Sequence, residues 1–126
     1  MKKLLVALLV AAFAFPAAAF GADTLKIGFN IPLTGDIPKV GEMSKNAAEM
    51  LKEKINGAGG LEVGGKKYML DFTYVDNEAK AESAVNAALK LIEGEKVLAM
   101  VGPQGSGRAA PAGEVANNNK TVMISG

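Results

Sequence analysis

"KVLAMVGPQGSGRAAPAGEVANNNKTVMIS", residues 96–125, is the stretch from which the fold can be read. Its first six residues are nearly all apolar, which predicts a strand buried on both faces. A glycine-rich turn follows, then a helical pattern from about Arg108 to Asn118, and "TVMIS" (121–125) returns as another strand. A strand, a helix-length crossover and a second strand form a parallel βαβ unit.

The same alternation runs upstream. "TLKIGFNI" (24–31) sets Leu25, Ile27, Phe29 and Ile31 on one face of a strand, and "PLTGDIPKVG" (32–41), with two prolines and two glycines, predicts a loop. "EMSKNAAEMLKEKI" (42–55) spaces Met43, Ala47, Met50, Leu51 and Ile55 as a helix, and "NGAGG" ends it. "KYMLDFTYV" (67–75) is a second strand. Asp76-Asn77 is positioned to cap the next helix, whose apolar face is Ala81, Ala84, Val85, Ala88, Leu91 and Ile92. The expected architecture is α/β, a doubly wound parallel sheet in the order 2-1-3-4 with helices on both faces. Ligands collect beyond the carboxyl ends of such strands, where the order reverses. That points to loops 32–41 and 102–107.

The first residues read differently from the rest. Met1-Lys2-Lys3 is basic, Leu4 to Phe15 is uninterrupted apolar sequence, and Pro16 to Gly21 is rich in small residues. This is the layout of a cleaved signal peptide, 1–21, and the apolar run is too short to span a bilayer. Cleavage after Gly21, with Ala19 at −3, is favoured over cleavage after Ala19. The expected destination is the periplasm of a Gram-negative cell. Without Lys2 and Lys3 the balance moves from 14 basic against 13 acidic groups to 12 against 13, so nothing suggests nucleic acid or a membrane surface as partner. The chain has no cysteine, hence neither a disulfide nor a lipid-attachment thiol, and the mature product is expected free in solution. Because Gly126 directly follows a strand, residues 22–126 are expected to be the front of a longer protein.

Two motifs imitate nucleotide loops. Gly105-Ser106-Gly107-Arg108-Ala109-Ala110 fits G-x-G-x-x-A, yet it lies at the third strand–helix turn, and no acid ends the next strand to take a ribose. Gly60 to Lys66 spells G-x-x-x-x-G-K, but Lys67 replaces the required hydroxyl residue, and the segment runs from helix to strand. A hairpin is the better reading there. Histidine and cysteine are both absent, which removes the common nucleophile–base pairs and zinc sites from this stretch. Neither an enzyme, a metal nor a cofactor is expected. What loop 102–107 does offer is a helix start with free N–H groups, glycines at 105 and 107 that permit close approach, and the Ser106 hydroxyl. These suit a small anion such as a carboxylate. Ser106 capping its own helix is an equal alternative.

"PLTG" after the first strand, "INGAGG" closing the first helix, "DNEAKAESAVNAALKLI" after the second strand and "VGPQGS" before the third helix together resemble the amino-terminal part of periplasmic branched-chain amino acid-binding proteins, the solute-binding components of ABC importers. The resemblance covers essentially all of the mature chain. It implies a two-lobed, hinged protein, of which this chain holds part of the N-terminal lobe, that closes on a small solute and delivers it to a membrane permease. It further implies that the ligand α-carboxylate meets the Ser106 hydroxyl and main-chain N–H groups around Gly105 and Gly107. The acid that receives the α-ammonium belongs to the other lobe. Some members cover the ligand with an aromatic residue from the first loop, where this chain has Val40. Relatives of this kind also carry other amino acids, amides, urea or aromatic acids. Gln104 either donates to the ligand or braces the loop. Arg108 is expected to be solvated, with Thr34, Asp36 and Lys39 at the rim and Lys39 a candidate for a second anionic group. A ligand sensor of the same fold is the alternative function, and a nucleotide-using enzyme is a more remote one.

Overall fold

The computed structural model describes residues 23–126, so the signal peptide and its cleavage point lie outside the described residues. The elements in chain order are β1 (Thr24–Ile31), α1 (Pro38–Gly57), β2 (Leu61–Val63), β3 (Lys66–Asp76), α2 (Ala81–Leu89), continued by a π turn (Lys90–Gly94), β4 (Ala99–Val101), α3 (Ser106–Asn118) and β5 (Val122–Ile124).

These strands form one five-stranded sheet in the order β2-β3-β1-β4-β5. Its parallel members β3-β1-β4-β5 reproduce the expected 2-1-3-4 order. The expectation of a wholly parallel sheet is corrected at the edge, where β2 runs antiparallel to β3. The reason is local. Gly64 and Gly65, both left-handed at φ 58° and 80°, turn the chain in two residues, so that Leu61–Val63 folds back onto Lys66–Tyr68. Beyond that short hairpin Asn56 completes the edge: its amide donates to the Leu70 carbonyl and accepts from the Leu70 N–H, at 2.9 and 2.8 Å.

The alternation of β1 divides the core. Ile27, Phe29 and Ile31 point to the α1 face, where the Phe29 ring packs 4.9 Å from Phe72 and 5.0 Å from Tyr74, with Ala48 of α1 above. Lys26, Gly28 and Asn30 alternate to the other face, covered by α2, the π turn and α3. Ala88, Leu91, Ile92, Met100, Ala112 and Ala116 are buried there. Gly28 lets Leu91 pack directly on β1, since a Cβ at this position would lie 2.9 Å from Leu91 Cδ2.

Several boundaries differ from the sequence reading: β4 covers only Ala99–Val101 of the expected 96–101, with Leu98 exposed, α3 begins at Ser106 rather than about Arg108, and two further differences bear on the rim. α1 begins at Pro38, inside the segment expected to be loop, because proline is well suited to a first helical turn. Asp76 and Asn77 do not cap α2, which starts at Ala81 with Lys80 as an extended N-cap residue. Both side chains are engaged elsewhere: Asp76 by the first loop and Asn77 by the core. Asn30 and Asn77 are fully buried. The Asn77 amide donates to Asn30 Oδ1 (2.9 Å), Asn30 donates to the Ala84 carbonyl (2.8 Å), and Asn77 Oδ1 accepts from the Ala79 N–H (3.0 Å). This pair fastens α2 across the carboxyl ends of β1 and β3.

Candidate functional site

The parallel strands deliver three connections to one rim: 32–37 after β1, 77–80 after β3 and 102–105 after β4. The first is held by Asp76. Its Oδ1 accepts from the N–H groups of Leu33 (2.8 Å), Thr34 (3.2 Å) and Glu78 (2.8 Å), and its Oδ2 accepts from the Thr34 hydroxyl. Burial pushes this carboxyl up, but the hydrogen bonds from the Thr34 side chain and from the main chain of Glu78, Thr34 and Leu33 outweigh it. Asp76 is therefore held below its ordinary value. Gly35 then packs directly on the second connection: a Cβ there would lie 2.1 Å from the Glu78 carbonyl oxygen.

The third connection leaves β4 through a cis Gly102–Pro103 peptide and enters α3. Gly105, at φ 86°, occupies the N-cap position, and its carbonyl accepts from the N–H groups of Arg108 and Ala109, both at 3.0 Å. Ser106 is the first helical residue and is exposed, and its side chain makes no capping bond. The cap reading of Ser106 is thereby corrected: a left-handed glycine, needing no Cβ allowance, already holds that position. Among the described residues the N–H groups of Ser106 and Gly107 have no acceptor. Two free donors and an exposed hydroxyl thus stand together at the positive end of the helix dipole, the electrostatic complement of a carboxylate.

The other predicted residues take distinct places. Gln104 braces the loop, since its amide donates to Ser44 Oγ on α1 (2.9 Å) while its buried Oε1 has no partner among the described residues. Ser44 in turn donates to the carbonyl of Val40 (2.8 Å). Val40 lies in the first turn of α1, on the side of the first loop, and is 36 % exposed. Lys39 is paired with Glu42 at 2.8 Å on the solvent side of that helix, an exposed pair that raises the lysine and lowers the carboxylate from their ordinary values. Asp36 is exposed at the tip of the first loop, and Thr34 is turned onto Asp76. Arg108 is not the solvated side chain expected: its Nε donates to the Gln104 carbonyl (2.8 Å) and its Nη1 to the Ala79 carbonyl (3.2 Å). Ser44, Asp76 and Ala79, which organise the rim, were missed from sequence because their partners are 29 to 60 residues away. Beneath the third connection an apolar crevice of about 340 Å³ opens between α1 and the sheet, among Phe29, Ile31, Ala48, Leu51, Phe72 and Val101. Among the described residues no group of three or more His, Cys, Asp or Glu side chains gathers for a metal ion.

The pattern that defines the family described as "Periplasmic binding protein" matches residues 24–126, which is all but one of the described residues. The chain belongs to the periplasmic binding protein family. Among its relatives the Leu/Ile/Val-binding protein BraC3 of Rhizobium johnstonii is 35 % identical over 122 residues, covering 97 % of this chain and 31 % of that protein. The branched-chain amino acid transporter substrate-binding protein LivJ of Streptococcus pneumoniae, solved in complex with isoleucine, is 32 % identical with a TM-score of 0.73, over 82 % of this chain and 28 % of that one. A solute-binding protein of an ABC transporter from Rhodopseudomonas palustris, solved with 3,4-dihydroxybenzoic acid, is 29 % identical with a TM-score of 0.68, over 82 % and 27 %. These relatives are solute-binding proteins rather than enzymes. This periplasmic binding protein chain corresponds to their amino-terminal portion and spans about 31 % of the length of the curated relative.

Proposed function

We propose that the chain forms part of the solute receptor of an ABC importer, working in the periplasm and presenting the carboxylate-binding side of a cleft to an amino acid or a related small acid. The observation that carries this reading is the trio at the start of α3: the unpartnered N–H groups of Ser106 and Gly107 beside the exposed Ser106 hydroxyl. Gly107, with nothing within 4 Å of where a Cβ would stand, leaves the backbone open to a ligand, and the trio lies at the carboxyl end of β4, beside β1, where a parallel sheet gathers its ligands. Names among the relatives, Leu/Ile/Val-binding and branched-chain amino acid transporter, support an aliphatic amino acid. The relative solved with a dihydroxybenzoate supports the carboxylate as the shared feature. Loops 32–37 and 102–107 contribute one side of the site and the rest of the full-length protein contributes the other, with a membrane permease as the downstream partner.

The test is calorimetric titration of the full-length protein with L-leucine, L-isoleucine, L-valine, L-alanine, L-phenylalanine, 3,4-dihydroxybenzoate and L-leucinamide. At least one of the carboxylates should bind at micromolar Kd or tighter, and L-leucinamide should bind more weakly than L-leucine. Equal binding of leucine and its amide would remove the carboxylate assignment, and no binding of any acid would remove the solute class.

A further inference from the structure

We propose that Arg108 is the positioning residue of this site, a clamp that joins the three rim connections into one body so that the Ser106 donors and the first loop are presented in fixed register. The functional half of the proposal rests on the solute-binding reading above; the structural half does not.

The turn after β3 is strained. Glu78 and Ala79 are consecutive non-glycine residues at φ 52° and 59°, a conformation that persists only where the surroundings over-determine it. It is gripped at three points. Asp76 accepts from the Glu78 N–H, Asn77 accepts from the Ala79 N–H, and Arg108, reaching across from α3, donates to the Ala79 carbonyl. The same guanidinium donates through Nε to the Gln104 carbonyl, one residue before the left-handed Gly105. Gly105 also makes room for it, because a Cβ there would lie 2.7 Å from Arg108 Nη2.

The contacts close into a ring. From Leu33 and Thr34 it passes through Asp76 to Glu78 and Ala79, through Arg108 to Gln104, and through Ser44 to Val40 in the first turn of α1, just past the first loop. Arg108 is the one side chain in this ring that bridges the second and third connections. No carboxylate pairs with it among the described residues, so its hydrogen bonds are spent on two carbonyls rather than on an ion pair. A planar guanidinium with donors on separate arms spans two carbonyls at once, whereas a lysine ammonium is a single point.

Amide hydrogen exchange on the ligand-free full-length protein tests the clamp, comparing wild type with Arg108→Ala and Arg108→Lys. In both variants protection should fall by about tenfold at Leu33, Thr34, Glu78 and Ala79, as well as at the hydrogen-bonded amides of residues 105 and 108, while the β1 amides of 27–29 keep their protection as a control for global stability. Loss confined to residues 105 and 108, or full protection of the distant amides in Arg108→Lys, would overturn the clamp. In parallel, the amino acid of the panel above that wild type binds is titrated into each variant. The expected weakening of Kd is about 2- to 30-fold in both. An unchanged Kd beside lost protection overturns the positioning role. Should wild type bind no member of the panel, the solute-binding reading fails, and the exchange result still decides the clamp.

Discussion

Ser106→Ala separates a ligand contact from a structural serine, because the structure assigns different magnitudes to the two roles. Ser106 is exposed, the cap position belongs to Gly105, and no capping bond is lost when the hydroxyl is removed. Folding stability should therefore stay within about 0.5 kcal/mol of wild type, whereas a capping serine would cost about 1 kcal/mol. Binding should respond differently. One hydrogen bond to a charged carboxylate is worth about 1.5–3 kcal/mol, which corresponds to a Kd weakened roughly 10- to 150-fold. The N–H groups of Ser106 and Gly107 remain, so binding should weaken without vanishing. Calorimetry on the full-length protein gives Kd, and urea unfolding of the same samples gives stability. Replacing the ligand carboxylate by an amide should weaken wild type more than the variant, because both changes remove the same interaction. An unchanged Kd in a variant of a ligand-binding wild type, or a stability loss near 1 kcal/mol with intact affinity, would refute the assignment.

Asn77→Ala strands buried Asn30 Oδ1 and the Ala79 N–H, and should destabilise by about 2–4 kcal/mol in urea unfolding. The double variant with Asn30→Ala should cost about 1–2 kcal/mol less than the sum of the singles; additivity would mean that the two amides are not coupled. Asp76 has a depressed folded pKa, so between that value and the unfolded one, about 3.9, the unfolded state binds more protons and stability rises with pH. Its contribution should be complete above about pH 5 and be lost as pH falls through the folded pKa, and Asp76→Asn should flatten that acid limb while costing about 1 kcal/mol at pH 7. A limb of unchanged steepness would count against the clasp. Gly35→Ala must place a Cβ against the Glu78 carbonyl at a left-handed φ of 85°, and a loss of about 2 kcal/mol or more is expected; a neutral result would show that the first loop does not rest on that turn.

Periodicity along the chain was enough to establish the alternation of strands and helices, the order of the parallel strands and, with it, which connections share the rim at their carboxyl ends. A buried strand and an amphipathic helix each write their faces into residues a few places apart. The strand read at 96–101 and the helix from about Arg108 were legible in that way, and the turn between them by its glycines. The Gly64-Gly65 hairpin was legible as a turn, but the strand before it, Leu61–Val63, is only three residues long and wholly exposed, too short for its alternation to announce it, and it exists because its partner is adjacent. The side chains of the rim were decided by tertiary structure alone. Asp76 and Asn77 look locally like a helix cap, yet a carboxylate can accept from any donor within reach. Folding brings Leu33 and Thr34 closer to Asp76 than the start of α2, and it brings Asn30 to Asn77. Arg108 looks solvated because nothing near it in sequence is acidic. Its partners are carbonyl oxygens, which every residue carries, so no sequence pattern can distinguish the two that end up beside it.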